Sequence, residues 1–149
     1  MPYDDTGKDV FAYTHVGPIA NEKGVSRNHI IIVMKNGLNN IIEEHHQPAP
    51  EGSAHVQHYQ AIIRALEMLI DRGHQNVAVM TTSDLVGNQI MGNLNVSDPL
   101  LKVLHHQVST LRDKFEWSNI GPMDSWKFPD TQTFLLDKMT EQDNAVIDP

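Results

Sequence analysis

The chain has 149 residues, a net charge of −8 and no cysteine. This length predicts a single domain that can bury a core of its own. The lack of cysteine excludes disulfides, thiolate metal sites and cysteine nucleophiles. The acidic balance argues against tight, non-specific binding of nucleic acid, which requires many Lys and Arg side chains at the phosphates.

The expected domain covers residues 1–149, with its core at about residues 10–139 between a flexible leader and a flexible tail. No apolar run reaches the length of a membrane span, and the start lacks the layout of a signal peptide. We therefore expect a soluble intracellular protein, cytoplasmic or nuclear, with no membrane contact.

The first third of the chain predicts three strands in an antiparallel meander. The run "DVFAYTHVGPIA" alternates apolar and polar residues and is expected to stop at Gly17-Pro18. The β-branched run "HIIIVMKNG" closes on Asn36-Gly37, a strong hairpin signal, and "LNNIIEEHH" follows it.

A helix, a strand and a short helix are predicted next. From His55 onward, apolar residues recur every three or four positions, which indicates an amphipathic helix that Gly73 ends. The run "NVAVM" is typical of a buried strand. Ser83 suits the N-cap of a short helix from Asp84 to Met91, and this role explains it better than a nucleophile role.

The last part of the chain predicts a helix, a strand and a final helix. Asp98-Pro99 opens the first of these helices, and "WSNIG" is a fifth short strand before the helix "TQTFLLDKM". The two strands on either side of the first helix should run parallel in one mixed sheet. The expected buried stripe of the helix after Pro99 consists of Leu100, Leu101, Leu104, Val108, Leu111 and Phe115.

Three runs carry a family resemblance: "QHYQAIIRALEML", "NVAVMTTSDLVGNQIMG" and "VSDPLLKVLHHQVSTLRDKF". They are similar to Ala-Glu-Tyr-x-Ala-Leu, to Thr-Asp-Ser-x-Leu-Val-x-x-Gln, and to a long helix ending in Arg-x-x-Phe in the ribonuclease H family. The resemblance implies a ribonuclease H-like α/β fold, in which helices flank a mixed five-stranded sheet made of an antiparallel meander and parallel strands. It also implies hydrolysis of the RNA strand of an RNA–DNA hybrid by two Mg²⁺ ions that carboxylates hold.

The carboxylates that the resemblance implies are missing from this sequence. The aspartate of the first strand is matched to Thr14 and the following glycine to His15. The glutamate of the first helix is matched to His58, the aspartate of the fourth strand to Thr82, and the aspartate of the last helix to Phe134. Hydroxyl and imidazole groups bring no negative charge to Mg²⁺, so we expect no two-metal catalysis, no catalytic residue and no cofactor.

Two alternatives keep a metal in the site. Asp84, Asp124 or Asp130 could supply displaced carboxylates for Mg²⁺ or Mn²⁺ in a divergent nuclease. The imidazoles of His15, His55 and His58 could instead bind Zn²⁺, which accepts nitrogen ligands.

The favoured function is a catalytically inactive ribonuclease H-like domain that acts as a structural or interaction module. Such a module resembles the connection domains beside reverse transcriptases in retroelements. We expect a protein partner or an oligomer, with residual contact to an RNA–DNA hybrid as a further option. The alternative is a divergent Mg²⁺- or Mn²⁺-dependent ribonuclease H that cleaves the RNA strand of hybrids.

Overall fold

A computed structural model describes residues 9–20, 22–124 and 127–129. The element order agrees with the sequence prediction as far as these residues extend. The predicted leader, the final helix and the tail lie outside them. The elements are β1 (Asp9–Ala20), β2 (Ser26–Asn36), β3 (Ile41–Pro48), α1 (Ala54–Asp71), β4 (Asn76–Thr81), α2 (Asp84–Met91), α3 (Pro99–Arg112) and β5 (Trp117–Pro122).

The five strands form one mixed sheet in the order β3-β2-β1-β4-β5. Strands β1, β2 and β3 pair antiparallel, whereas β4 pairs parallel with both β1 and β5. Strands β3 and β4, which flank α1, therefore run in the same direction, with β2 and β1 between them. The predicted mixed sheet with helices is confirmed.

Strand β1 is longer than the sequence signals predicted. Gly17 and Pro18 do not end it, because they pair with His29 and Asn28 of β2. The β4 partner of β1 stops at Thr14, so this part of β1 has no second neighbour among the described strands. Proline is tolerated on such an edge because its missing N–H interrupts no ladder there.

Helix α1 covers one face of the sheet. Its N-cap is Ser53, whose hydroxyl accepts the N–H of Val56, and the chain leaves the helix through Gly73 at φ +78°. Tyr59, Ile62 and Leu66 are fully buried against the sheet. The predicted period of three and four is thus the buried face of this helix.

Helices α2 and α3 begin where the capping residues predicted. Ser83 caps α2, and Asp98 caps α3 by accepting the N–H groups of Leu100 and Leu101. The prediction that Leu100 is buried is wrong, because its side chain is 54% exposed. The buried face of α3 passes through Leu101, Leu104 and Val108, and Leu100 lies to one side of it.

The two faces of the sheet are covered differently. The face toward the helices carries the larger core, which includes Ala12, Ile32 and Val79. The opposite face carries a small cluster that includes Ile31, Val33 and Phe128, from the segment after β5. None of the helices in the described part of the chain combines the length and apolar character needed to span a bilayer.

Candidate functional site

A small polar cluster lies where β1 and β4 leave their parallel ladder. Thr14 and Thr81 are the last paired residues, so His15 and Thr82 follow them side by side. The Thr82 N–H donates to the Thr14 carbonyl over 3.2 Å, and this bond holds the two strands together one residue beyond the ladder. His15 Nδ1 lies 2.7 Å from Thr82 Oγ1, a short hydrogen bond.

We also assign His58, in the second turn of α1, to this cluster, because it lies close enough to His15 for the two imidazoles to interact electrostatically. Burial, with smaller contributions from His15 and then His55, lowers the pKa of His58 to about 4. Its Nδ1 atom is buried and has no hydrogen-bond partner among the described residues. Burial also lowers the pKa of His15. Both imidazoles are therefore neutral near pH 7, and the cluster has no formal charge.

The hydroxyl groups of two threonines beside the cluster form hydrogen bonds with backbone groups. The Thr14 side chain is 0% exposed, and its hydroxyl donates to the Met80 carbonyl over 3.0 Å. Thr81 Oγ1 accepts the N–H of Ser83 over 3.1 Å and so helps to form the turn into α2. The structure therefore brings His15, rather than Thr14, against Thr82.

The sequence suggested His15 and His58 as hydrogen-bond partners of Thr14 and Thr82 without saying which residues pair, and the structure pairs His15 with Thr82. Matching one residue at a time placed Thr14 at the aspartate position, with His15 after it. The signal that could have revealed the pairing was the Thr-x step shared by Thr14-His15 and Thr81-Thr82. Parallel strands that end in register place such second residues side by side.

The His15 ring has a defined environment. Its centroid lies 5.4 Å from that of Phe128, with the planes tilted by 48°. A Cβ atom on Gly17 would lie 3.1 Å from His15 Nε2, so the glycine leaves room for the ring. Phe128 is 6% exposed, which shows that the segment after β5 closes one side of the cluster.

The first turn of α1 is braced close to His58. Asn28 Nδ2 donates to Gln57 Oε1 over 2.6 Å, and Gln57 Nε2 donates to the Pro50 carbonyl over 2.9 Å. Gln57 is 7% exposed. These bonds connect β2, the loop before α1 and the helix itself, so they fix the position from which His58 projects.

Two of the acidic side chains that the sequence offered as replacements, Asp84 and Asp124, do not join the cluster. Asp84 is exposed in the first turn of α2 and accepts a hydrogen bond from Asn88 Nδ2 over 3.2 Å. Asp124 is exposed and lies 3.8 Å from Lys127 Nζ. Asp130, like Phe134, lies outside the described residues.

The described residues do not support the zinc alternative either. His55 is exposed one turn before His58, while His15 approaches from the sheet. Within residues 9–20, 22–124 and 127–129, no three His, Cys, Asp or Glu side chains form a group that could hold a metal ion. His15, His55 and His58 therefore do not make a metal site on their own.

The sequence of the chain matches the model of one protein family. The family model described as reverse transcriptase-like matches residues 17–121. No curated protein sequence matches the chain significantly.

Solved structures resemble the chain over most of its length. Ribonuclease H1 from the archaeon Halobacterium salinarum is 22% identical with a TM-score of 0.68, covering 79% of this chain and 87% of its own. The N-terminal ribonuclease H domain of a Mycobacterium tuberculosis protein is 20% identical with a TM-score of 0.70, covering 91% and 97%.

A third structure contains a viral enzyme. The foamy viral protease–reverse transcriptase in complex with an RNA/DNA hybrid is 16% identical with a TM-score of 0.64, over 89% of this chain and 19% of its own. At these identities the structures show the fold, and the family match covers well over half of the chain. The chain belongs to the reverse transcriptase-like family and has the ribonuclease H-like fold.

Proposed function

We propose that this chain is a catalytically silent ribonuclease H-like module with a structural or interaction role. The observation that carries the proposal is the convergence of His15, His58 and Thr82 where β1, α1 and β4 meet. In this proposal His15, rather than Thr14, stands at the first-strand acid position, beside His58 and Thr82 at the helix and fourth-strand positions.

The chemistry of these donors does not fit a pair of Mg²⁺ ions. Mg²⁺ takes oxygen ligands, chiefly carboxylates, and two such ions need several negative charges close together. The cluster offers two neutral imidazoles and one hydroxyl, and the hydroxyl is already bonded to His15. These residues supply no carboxylate to offset the charge of the ions, so no catalytic step is assigned to them.

A cleavage assay on an RNA–DNA hybrid tests the loss of activity. We expect no cleavage above background with Mg²⁺ or Mn²⁺. Cleavage that Asp84→Asn abolishes would contradict the proposal and favour the divergent nuclease. A matched Asp113→Asn variant, altered at an exposed position after α3, should behave like the parent chain.

Restoring the carboxylates tests the assignment of positions. The triple variant His15→Asp, His58→Glu, Thr82→Asp should gain Mn²⁺ binding, measured by calorimetry, because three carboxylates would then converge. The matched variant Thr14→Asp, His58→Glu, Thr82→Asp should gain less, because Thr14 faces the buried Met80 carbonyl. Equal binding in the two variants would contradict the assignment of His15, and circular dichroism checks that both are folded.

A further inference from the structure

Strand β3 is an edge strand of the sheet that the described residues form. It pairs with β2 on one side, and none of the described strands pairs with its other side. An edge strand presents a row of unused N–H and C=O groups that can pair with another strand.

Two features confine regular pairing to the middle of β3. The register with β2 shifts between Met34 and Lys35, so that Ile42 is an extra, bulged residue. At the other end Pro48 has no N–H to donate. Bulges and prolines restrict edge pairing in general, and here they leave Glu43 to Gln47 as the regular stretch.

The regular stretch is complementary to itself when it runs antiparallel about His45. Residues directly opposite each other in an antiparallel pair share a face of the sheet. Glu44 of one copy then lies opposite His46 of the other, and Glu43 opposite Gln47. Each contact occurs twice. A register centred on Glu44 would instead place two carboxylates opposite each other, which is unfavourable.

This antiparallel arrangement offers the Glu44 carboxylate a hydrogen-bond donor. Its Oε2 atom is buried and has no hydrogen-bond partner among the described residues. A buried carboxylate oxygen without a donor is costly. An imidazole N–H from the facing strand would supply a donor on the same face as Glu44.

We propose that two copies of this chain associate through their β3 strands, antiparallel about His45, to form one sheet that continues through both copies. This homodimer gives a partner to the interaction role proposed above. It does not rest on the loss of catalysis, because association and cleavage are measured separately and fail separately.

Engineered cysteines test the register, since the chain has no cysteine of its own. In the proposed register, residue 45 of one copy lies opposite residue 45 of the other. The two Cα atoms would then be within the separation that a disulfide spans, about 4.4–6.8 Å. His45→Cys should therefore give a crosslinked dimer on a non-reducing gel after mild oxidation. His46→Cys, the matched control, should remain uncrosslinked because it faces residue 44. Crosslinking of His46→Cys in place of His45→Cys would overturn the proposal.

A charge exchange tests the pairing without crosslinking. Sedimentation equilibrium of the unmodified chain should show a monomer–dimer equilibrium. Glu44→Lys and His46→Glu should each weaken association by about tenfold, and the double variant should restore it, because opposite charges face each other again. Glu116→Lys, an equal charge change at an exposed residue just before β5, should leave association unchanged. A chain that stays monomeric up to millimolar concentration would overturn the proposal, as would a folded double variant that fails to recover.

Discussion

At the scale of single residues, the cluster of His15, His58 and Thr82 is defined by neutral groups held in a half-buried position. His58 shows this most clearly, because it keeps its Nδ1 atom buried without a hydrogen-bond partner among the described residues. Burial disfavours the charged imidazolium, and the nearby His15 and His55 add to the effect. A proton on His58 therefore costs folding free energy.

This cost predicts a pH dependence of stability. The pKa of His58 falls from 6.5 in the unfolded chain to about 4 in the folded one. Between these values the unfolded chain binds more protons, so the free energy of unfolding falls as the pH is lowered from 6.5 to about 4. We expect a loss of about 1–2 kcal/mol, reduced from the full linkage value because the ring keeps some contact with solvent.

Urea unfolding at a series of pH values measures this effect. His58→Gln should flatten the acid slope, because it removes the titrating group while keeping a polar side chain. His106→Gln, altered on the exposed side of α3, is the control and should retain the slope. An unchanged slope in His58→Gln would show that other groups govern the acid response.

At the scale of elements, α2 packs closely against the end of β5. A Cβ atom on Gly87 would lie 2.6 Å from the Pro122 nitrogen and 2.7 Å from its Cα. Real side chains do not approach backbone atoms so closely, so the glycine is what allows the helix to pack on the end of the strand. Because Ser83 and Thr81 form the turn just before α2, this packing also fixes the end of β4 next to Thr82.

Gly87→Ala should destabilise the protein although alanine is the better helix former. Intrinsic propensity alone would favour alanine by about 1 kcal/mol. The clash with Pro122 should outweigh it and give a net loss of about 1–3 kcal/mol in the free energy of unfolding. Thermal unfolding measures the change, and Thr110→Ala on the exposed face of α3 should be neutral or slightly stabilising. A stabilised Gly87→Ala variant would mean that α2 can move away from β5.

The elements that the sequence predicted best are those with local signals. Ser83 and Asp98 identified the starts of α2 and α3, because a capping side chain bonds to N–H groups only two or three residues away. The extension of β1 through Gly17 and Pro18 could not be predicted in this way, since it depends on pairing with β2.

The candidate site was predicted in part, for the same physical reason. His58 and Thr82 were found from runs of residue types along the chain. The contact between His15 and Thr82 depends on the register of two strands that lie 67 positions apart. Register is set by packing across the sheet, so residue types alone left it open.

At the scale of the whole molecule, charge decides which partners are favoured. The chain carries 11 Lys and Arg against 19 Asp and Glu. This balance opposes binding to the phosphates of a hybrid. Trp117, on β5 at the end of the sheet opposite β3, is 55% exposed.

We therefore expect weak binding of an RNA–DNA hybrid. Fluorescence anisotropy at physiological salt should give a Kd of about 10⁻⁴ M or weaker, at or beyond the weak limit of non-specific binding. The Halobacterium ribonuclease H1, assayed in the same buffer without divalent cations, would serve as a comparison of the same fold. Nanomolar binding by this chain would contradict this expectation and favour a hybrid-binding role.

The position of β1 in the sheet also determines when the sheet can be completed. One edge of β1 pairs with β2 in a hairpin whose residues are near neighbours in the chain. The other edge of β1 pairs with Asn76 to Thr81 of β4, which are synthesised much later. During translation the hairpin can form first, and closing the longer connection comes later and more slowly. Until β4 emerges from the ribosome, the inner edge of β1 remains open to pairing with the wrong strand.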